Sequence, residues 1–128
     1  METKSEQSLY ERLGSEKGIK KIVDDIVDAH MENPVIKVRF LPYLEDPENL
    51  KKLKGHLVTF ICNGTGGEQE YTGRDMVTTH TGMNISEEEY MAGTDDILKA
   101  LDKNGIDEES KKDVLAICYS LKDDIMRV

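Results

Sequence analysis

Apolar residues along this chain recur at helical spacing, and no segment alternates long enough to read as a strand. Ser8 with Glu11 has the form of a helix cap and predicts a short first helix ending at Leu13–Gly14. Ser15 then opens a longer helix in which Ile19, Ile22, Val23, Ile26, Val27 and His30 share one broad face. Gly18 weakens that helix by roughly 1 kcal/mol relative to Ala, and Asn33–Pro34 ends it. Residues 35–46 read as a short turn or helical piece around Val38, Phe40 and Leu41, closed by Pro42. Asp46–Pro47 is a helix start, a cap followed by proline at the first helical position. Leu50, Leu53, Leu57, Phe60 and Ile61 line one face of this helix, Lys51, Lys52 and Lys54 lie largely off it, and the Asn63–Gly67 run breaks it.

The next stretch, Tyr71 to Ile85, reads Y-T-G-R-D-M-V-T-T-H-T-G-M-N-I. Gly73 permits a tight turn and Thr72 with Asp75 predicts a helix start. Gly82 and Asn84 limit the helix to about two turns. Ser86 and Glu89 form a second capping box, before a helix that buries Tyr90, Thr94, Ile97, Leu98 and Leu101. Asn104–Gly105 turns the chain, and Asp107 opens a last helix with Val114, Leu115, Cys118, Leu121 and Ile125 facing inward. The pattern predicts one all-α domain of about six helices across residues 1–128, with a loosely packed terminus at 1–7.

Composition narrows the class. At 128 residues the chain is long enough to bury a core without disulfides. Its two cysteines, Cys62 and Cys118, lie in separate apolar segments, which points to a reducing, cytoplasmic setting. The N-terminus lacks a signal-peptide core, and no apolar run approaches the ~20 residues of a membrane span. A net charge of −9 argues against nucleic acid and anionic membrane as partners.

The chain has three histidines and no H-E-x-x-H or C-x-x-C motif, which speaks against a zinc site. The Gly64–Gly67 run has no phosphate-loop context, so its role is geometric. His80 follows Met76 and Val77 at i+4 and i+3, so its ring stands on an apolar stripe, either packed or presented as a ligand. His56, between Leu53 and Phe60, is a boundary histidine or a second ligand facing His80. His30 is expected as a partly exposed helix-end residue. The Lys51–Lys54 cluster is a solvated face or a partner for carboxylates at a pocket mouth.

With these elements placed, the sequence resembles the truncated haemoglobins, most closely their first group. The likeness rests on S-L-Y-E-R-L-G, F-I-C-N-G-T-G-G, Y-T-G-R-D-M-V-T-T-H, G-I-D-E-E and L-K-D-D-I, and spans about Ser8 to Ile125. Gly14–Ser15 stands where the family usually has its first Gly-Gly. The resemblance implies a two-over-two helical sandwich around haem b, with His80 as proximal iron ligand and Phe40 packed on the ring. Leu53, Leu57, Phe60, Met76, Val77 and Ile85 suit the dry walls such a group needs, and Lys52 and Tyr71 complete the expected cofactor contacts.

Departures from the family bear on function. Val27 stands where the family usually carries a distal tyrosine, and Leu53 and Leu57 stand where it often carries glutamines. None of these offers a donor to a bound gas. His56 matches a position that in some members binds iron from the distal side and in others meets a haem propionate; the first is the expectation here. The implied function is reversible binding, or transport, of oxygen or another diatomic gas. The alternatives are nitric oxide dioxygenation or peroxide and reactive-nitrogen detoxification, fed by an electron-donating reductase, and bis-histidine electron transfer or sensing. The protein is expected to be a monomer or weak dimer.

Overall fold

The start of the chain is shaped by close backbone contact. The computed structural model describes residues 7–128, and of the loosely packed terminus expected at 1–7 all but Gln7 lies outside them. Ser8 and Glu11 close a capping box at α1 (Leu9–Arg12). The next helix, α2 (Ser15–Glu32), has as its N-cap Gly14, whose φ is +96°. A Cβ on Gly18 would stand 2.4 Å from the Leu13 carbonyl oxygen. The residue expected to weaken α2 is therefore what lets the α1–α2 corner close. Ser15 takes φ +60°, a left-handed conformation that favours glycine. A second glycine at this corner thus has a physical basis, and serine holds the same backbone at a cost.

Beyond α2 come α3 (Lys37–Phe40), a 3-10 segment (Leu41–Glu45), α4 (Pro47–Gly64), α5 (Met76–His80), α6 (Glu87–Lys103) and α7 (Glu108–Ile125). The described residues thus hold seven α-helices where about six were expected, and no strand. The extra element is α3. Helix α2 packs on α4 and on α6, and α6 packs on α7, which makes the two-over-two arrangement. The core lies along α2: Ile19, Val23 and Val27 are fully buried, and Ile22 and Ile26 nearly so. Cys62 of α4 and Ala100 and Leu101 of α6 close on them. Each large aliphatic side chain buried this way contributes about 1.5–3 kcal/mol.

Several local expectations change. Pro42 sits inside the 3-10 segment at one of its first positions and does not close it. Asn63 and Gly64 are still helical, and the break comes at Thr65. The N-cap of α5 is Asp75, which accepts the Thr78 amide at 2.7 Å, and Thr72 plays no part in the cap. Leu115 is 42% exposed because it lies on the outer side of α7. The capping box at Ser86 and the Asp107 cap are as expected.

The C-terminus ties down the stretch that follows α5. The Arg127 amide donates to the Ile85 carbonyl and the Gly82 amide to that of Val128, each at 3.0 Å. Arg39 of α3 pairs with Glu89 of α6 and donates to the Met83 carbonyl at 3.0 Å. The Arg39 guanidinium holds the Glu89 carboxyl at about 2, well below the usual range. These ties fix the walls around His80.

Candidate functional site

Helix α5 has only five residues, so few intrahelical bonds hold it. Asp75 caps its start, and at its end the Thr81 amide and hydroxyl both donate to the Val77 carbonyl. The His80 ring is held by the same turn: Nδ1 lies 2.8 Å from the Met76 carbonyl oxygen. A carbonyl only accepts, so Nδ1 carries the proton and Nε2 of the neutral ring keeps its lone pair. That is the state in which an imidazole binds a metal, with its orientation set by a second bond.

His80 lines a recess of about 190 Å³ with Phe40, His30, Ile85, Tyr90 and Ile97. A second recess of about 280 Å³ is walled almost wholly by apolar groups, among them Leu57, Phe60, Val114 and Leu121. Ile97 and Cys118 belong to both walls. A third, of about 340 Å³, opens outward past Lys52, Leu53, His56, Tyr71, Arg74 and Thr79. Aromatic contacts link the three: Phe40 lies 6.4 Å from Tyr43 at the outer recess, and Phe60 lies 5.1 Å edge-on to Tyr71. The result is an apolar recess beside one that carries the oriented His80 imidazole, with two cations, Lys52 and Arg74, at the outer mouth, a form suited to a flat apolar ligand bearing acidic groups.

The structure thus gathers most residues singled out from sequence. His80, Phe40 and Ile85 share the first recess, Leu57 and Phe60 the second, and Lys52, Leu53, His56 and Tyr71 the third. Val27 is fully buried in the α2 core and lines none of these three. Met76 contributes its carbonyl, while Val77 is 44% exposed and lines none of them either. His56 is exposed on the outer side of α4, with its ring 6.4 Å from Tyr71.

His30 departs most from expectation. Its side chain is only 12% exposed, and Nδ1 lies 2.8 Å from Oδ2 of Asp96, itself 3% exposed. Burial lowers the His30 pKa, and the Asp96 carboxylate partly offsets that. The Asn33 amide donates to both Asp96 oxygens at 3.1 Å. Asp96 falls four residues after Ala92 and four before Ala100 on the buried stripe of α6, a placement that calls for a partner and that the sequence reading passed over. Arg74 was also missed, although it stands in the quoted Y-T-G-R motif.

A family model for bacterial-like globins matches residues 8–127. The chain belongs to that family. It is similar to a group 1 truncated haemoglobin of Nostoc commune, 24% identical over 119 residues that cover 93% of this chain and 97% of the relative. A second, from a Synechocystis species, is 25% identical over 114 residues, covering 86% and 88%. Among solved structures, the truncated haemoglobin of Tetrahymena pyriformis in its Fe(III) form superposes with a TM-score of 0.85 at 19% identity, over 95% of this chain and 100% of that one. A 2/2 haemoglobin from a Synechococcus species, in the cyanomet state with covalently attached haem, gives 0.82 at 19%, over 94% and 98%. The globin family implies a haem, and an apolar recess beside an oriented imidazole fits one.

Proposed function

We propose that this truncated globin holds haem b through His80 and binds a diatomic gas reversibly at the iron. The observation that carries the reading is the His80 ring, tethered at Nδ1 by Met76 on the wall of a recess that adjoins an apolar one. Bound there, the haem would supply an iron with one coordination position open to gas. The chain's own residues do the rest. Phe40, Leu57, Phe60 and Ile85 would exclude water from a ring bound between them, which would protect a ferrous iron from autoxidation. Lys52 and Arg74 at the mouth would pair with the two propionates.

His56 stands with those cations at the mouth, exposed and edge-on to Tyr71. That position supports propionate contact as its resting role. Iron binding by His56 requires α4 to shift inward, so a gas arriving at such a state would have to displace it. Leu53 and Leu57 on the recess walls offer no hydrogen-bond donor, so oxygen is held loosely. A cytoplasmic setting belongs to the same proposal and is supported by two free cysteines.

The test is titration of the haem-free chain with haemin, then reduction under carbon monoxide or oxygen. The proposal expects a Soret-absorbing complex saturating at one equivalent, and a gas adduct that reverses when the gas is removed. A chain that takes up no haem, or whose ferrous complex binds neither gas, contradicts it.

A further inference from the structure

The His30–Asp96 pair is more elaborate than a structural tie needs to be. Asn33 alone joins the end of α2 to α6, donating to Asp96 and reaching the Ala92 carbonyl at 3.4 Å. Adding His30 places a second imidazole on the recess that holds His80. Both rings are held in one way: Nδ1 lies 2.8 Å from an acceptor oxygen, Asp96 Oδ2 for His30 and Met76 O for His80. A carboxylate accepts only, so Nδ1 carries the proton and the lone pair sits on Nε2. No described hydrogen bond uses that nitrogen.

Space has been left beside it. Gly93 lies inside α6, where glycine costs roughly 1 kcal/mol relative to alanine. Its backbone does not require glycine, since its φ is not positive. A Cβ there would meet only the His30 ring, at 3.8 Å from Cε1, an ordinary contact. Neither strain nor crowding accounts for Gly93; what it leaves is room beside the His30 ring on the recess wall. The other titratable groups on this recess are otherwise engaged: Arg39 with Glu89, and the Tyr90 hydroxyl with the Cys118 carbonyl. The Cys118 thiol is pushed up by burial and takes no proton from a ligand.

We propose that His30 is the proton acceptor for small protic ligands entering this recess, weak acids HX such as hydrazoic acid, hydrogen cyanide or hydrogen sulfide. This rests on the haem reading above. HX gives its proton to Nε2, and the electron pair of the broken H–X bond stays on the anion, which is the form that binds ferric iron. The imidazolium so formed donates from Nδ1 to Asp96 and from Nε2 back to X⁻. One proton moves and no electron is lost or gained. Asp96 is a positioning residue, setting the tautomer and stabilising the charged ring.

The test compares two rates in the haem-loaded chain: azide binding to the ferric form, which enters as HX, and carbon monoxide binding to the ferrous form, which carries no proton. The readout is their ratio. His30→Gln is expected to lower the azide-to-carbon-monoxide ratio about a hundredfold, the low end of the usual general-base contribution. Asp96→Asn, which frees the tautomer, should lower it less, and it serves if His30→Gln fails to fold. His56→Ala tests the other basic ring, which stands at the outer mouth. A ratio unchanged in both the His30 and Asp96 variants, the two rates moving together, means His30 only shapes the wall and overturns the proposal. A ratio that falls only in His56→Ala assigns the proton to the mouth and overturns it too. Failure to take up haem at all would instead sink the proposed function.

Discussion

Helix α2 has eighteen residues and five buried side chains, whereas α5 has five residues and buries none. The first is held by apolar packing against α4 and α6. The second is held by caps and ties: Asp75 at one end, Thr81 at the other, and beyond it the Gly82–Val128 and Arg127–Ile85 bonds. Yet His80, the ring with chemistry to offer, sits on α5. A metal-binding imidazole must reach a recess with its lone pair free, and the end of α5 presents one without burying the helix. The two helices are therefore expected to fail independently.

Ile19→Ala should be the largest breach, removing a fully buried side chain from α2. A loss of about 2–5 kcal/mol in urea unfolding is expected, with the spectrum of the folded fraction unchanged. A loss below ~1 kcal/mol would mean that α2 is not the main support. Acid should come next, through the wall between the two helices. Glu89 is held at about 2 by Arg39, so this ion pair contributes fully above the ordinary carboxyl range near 4.5 and is lost as pH falls toward 2. Glu89→Gln should flatten that part of the stability–pH curve; an unaltered acid limb would show that the pair contributes little.

Asp75→Ala should cost about 1 kcal/mol, felt locally. Its expected sign is faster amide exchange over residues 76–80 and quicker haem loss, with a melting temperature close to wild type. A large global loss with normal haem retention would reverse the comparison. The smallest change runs upward. Ser15→Gly relieves a left-handed serine and should stabilise the fold by somewhat under ~1 kcal/mol, read as a raised midpoint at constant slope.

The same contrast explains what could be read from the chain alone. The long helices announce themselves through periodicity and caps, and α2, α4, α6 and α7 begin where Gly14–Ser15, Asp46–Pro47, Ser86 and Asp107 put them. Residues 35–46 were less legible, because Val38 at 71% and Leu44 at 58% exposure are apolar without facing a core. At the site, His80 was legible as a ring on an apolar stripe, but not its tether to the Met76 carbonyl, since spacing alone does not set the ring's rotamer. The His30–Asp96 pair was hidden because its partners are sixty-six residues apart. Only Asp96 on a buried stripe hinted at it. Val27 was assigned to a pocket wall, yet its depth in the core follows from the same periodicity that placed it on the α2 face.

The central claim is that His80 holds the haem iron from this weakly packed helix. It is tested most directly by the ferric and deoxy-ferrous absorption spectra of the haem-loaded protein beside those of His80→Ala. The wild type should show a histidine-ligated spectrum that the variant loses, together with most of its haem on gel filtration, while the variant chain stays helical by circular dichroism. Wild-type haem content with an identical spectrum in His80→Ala would contradict it.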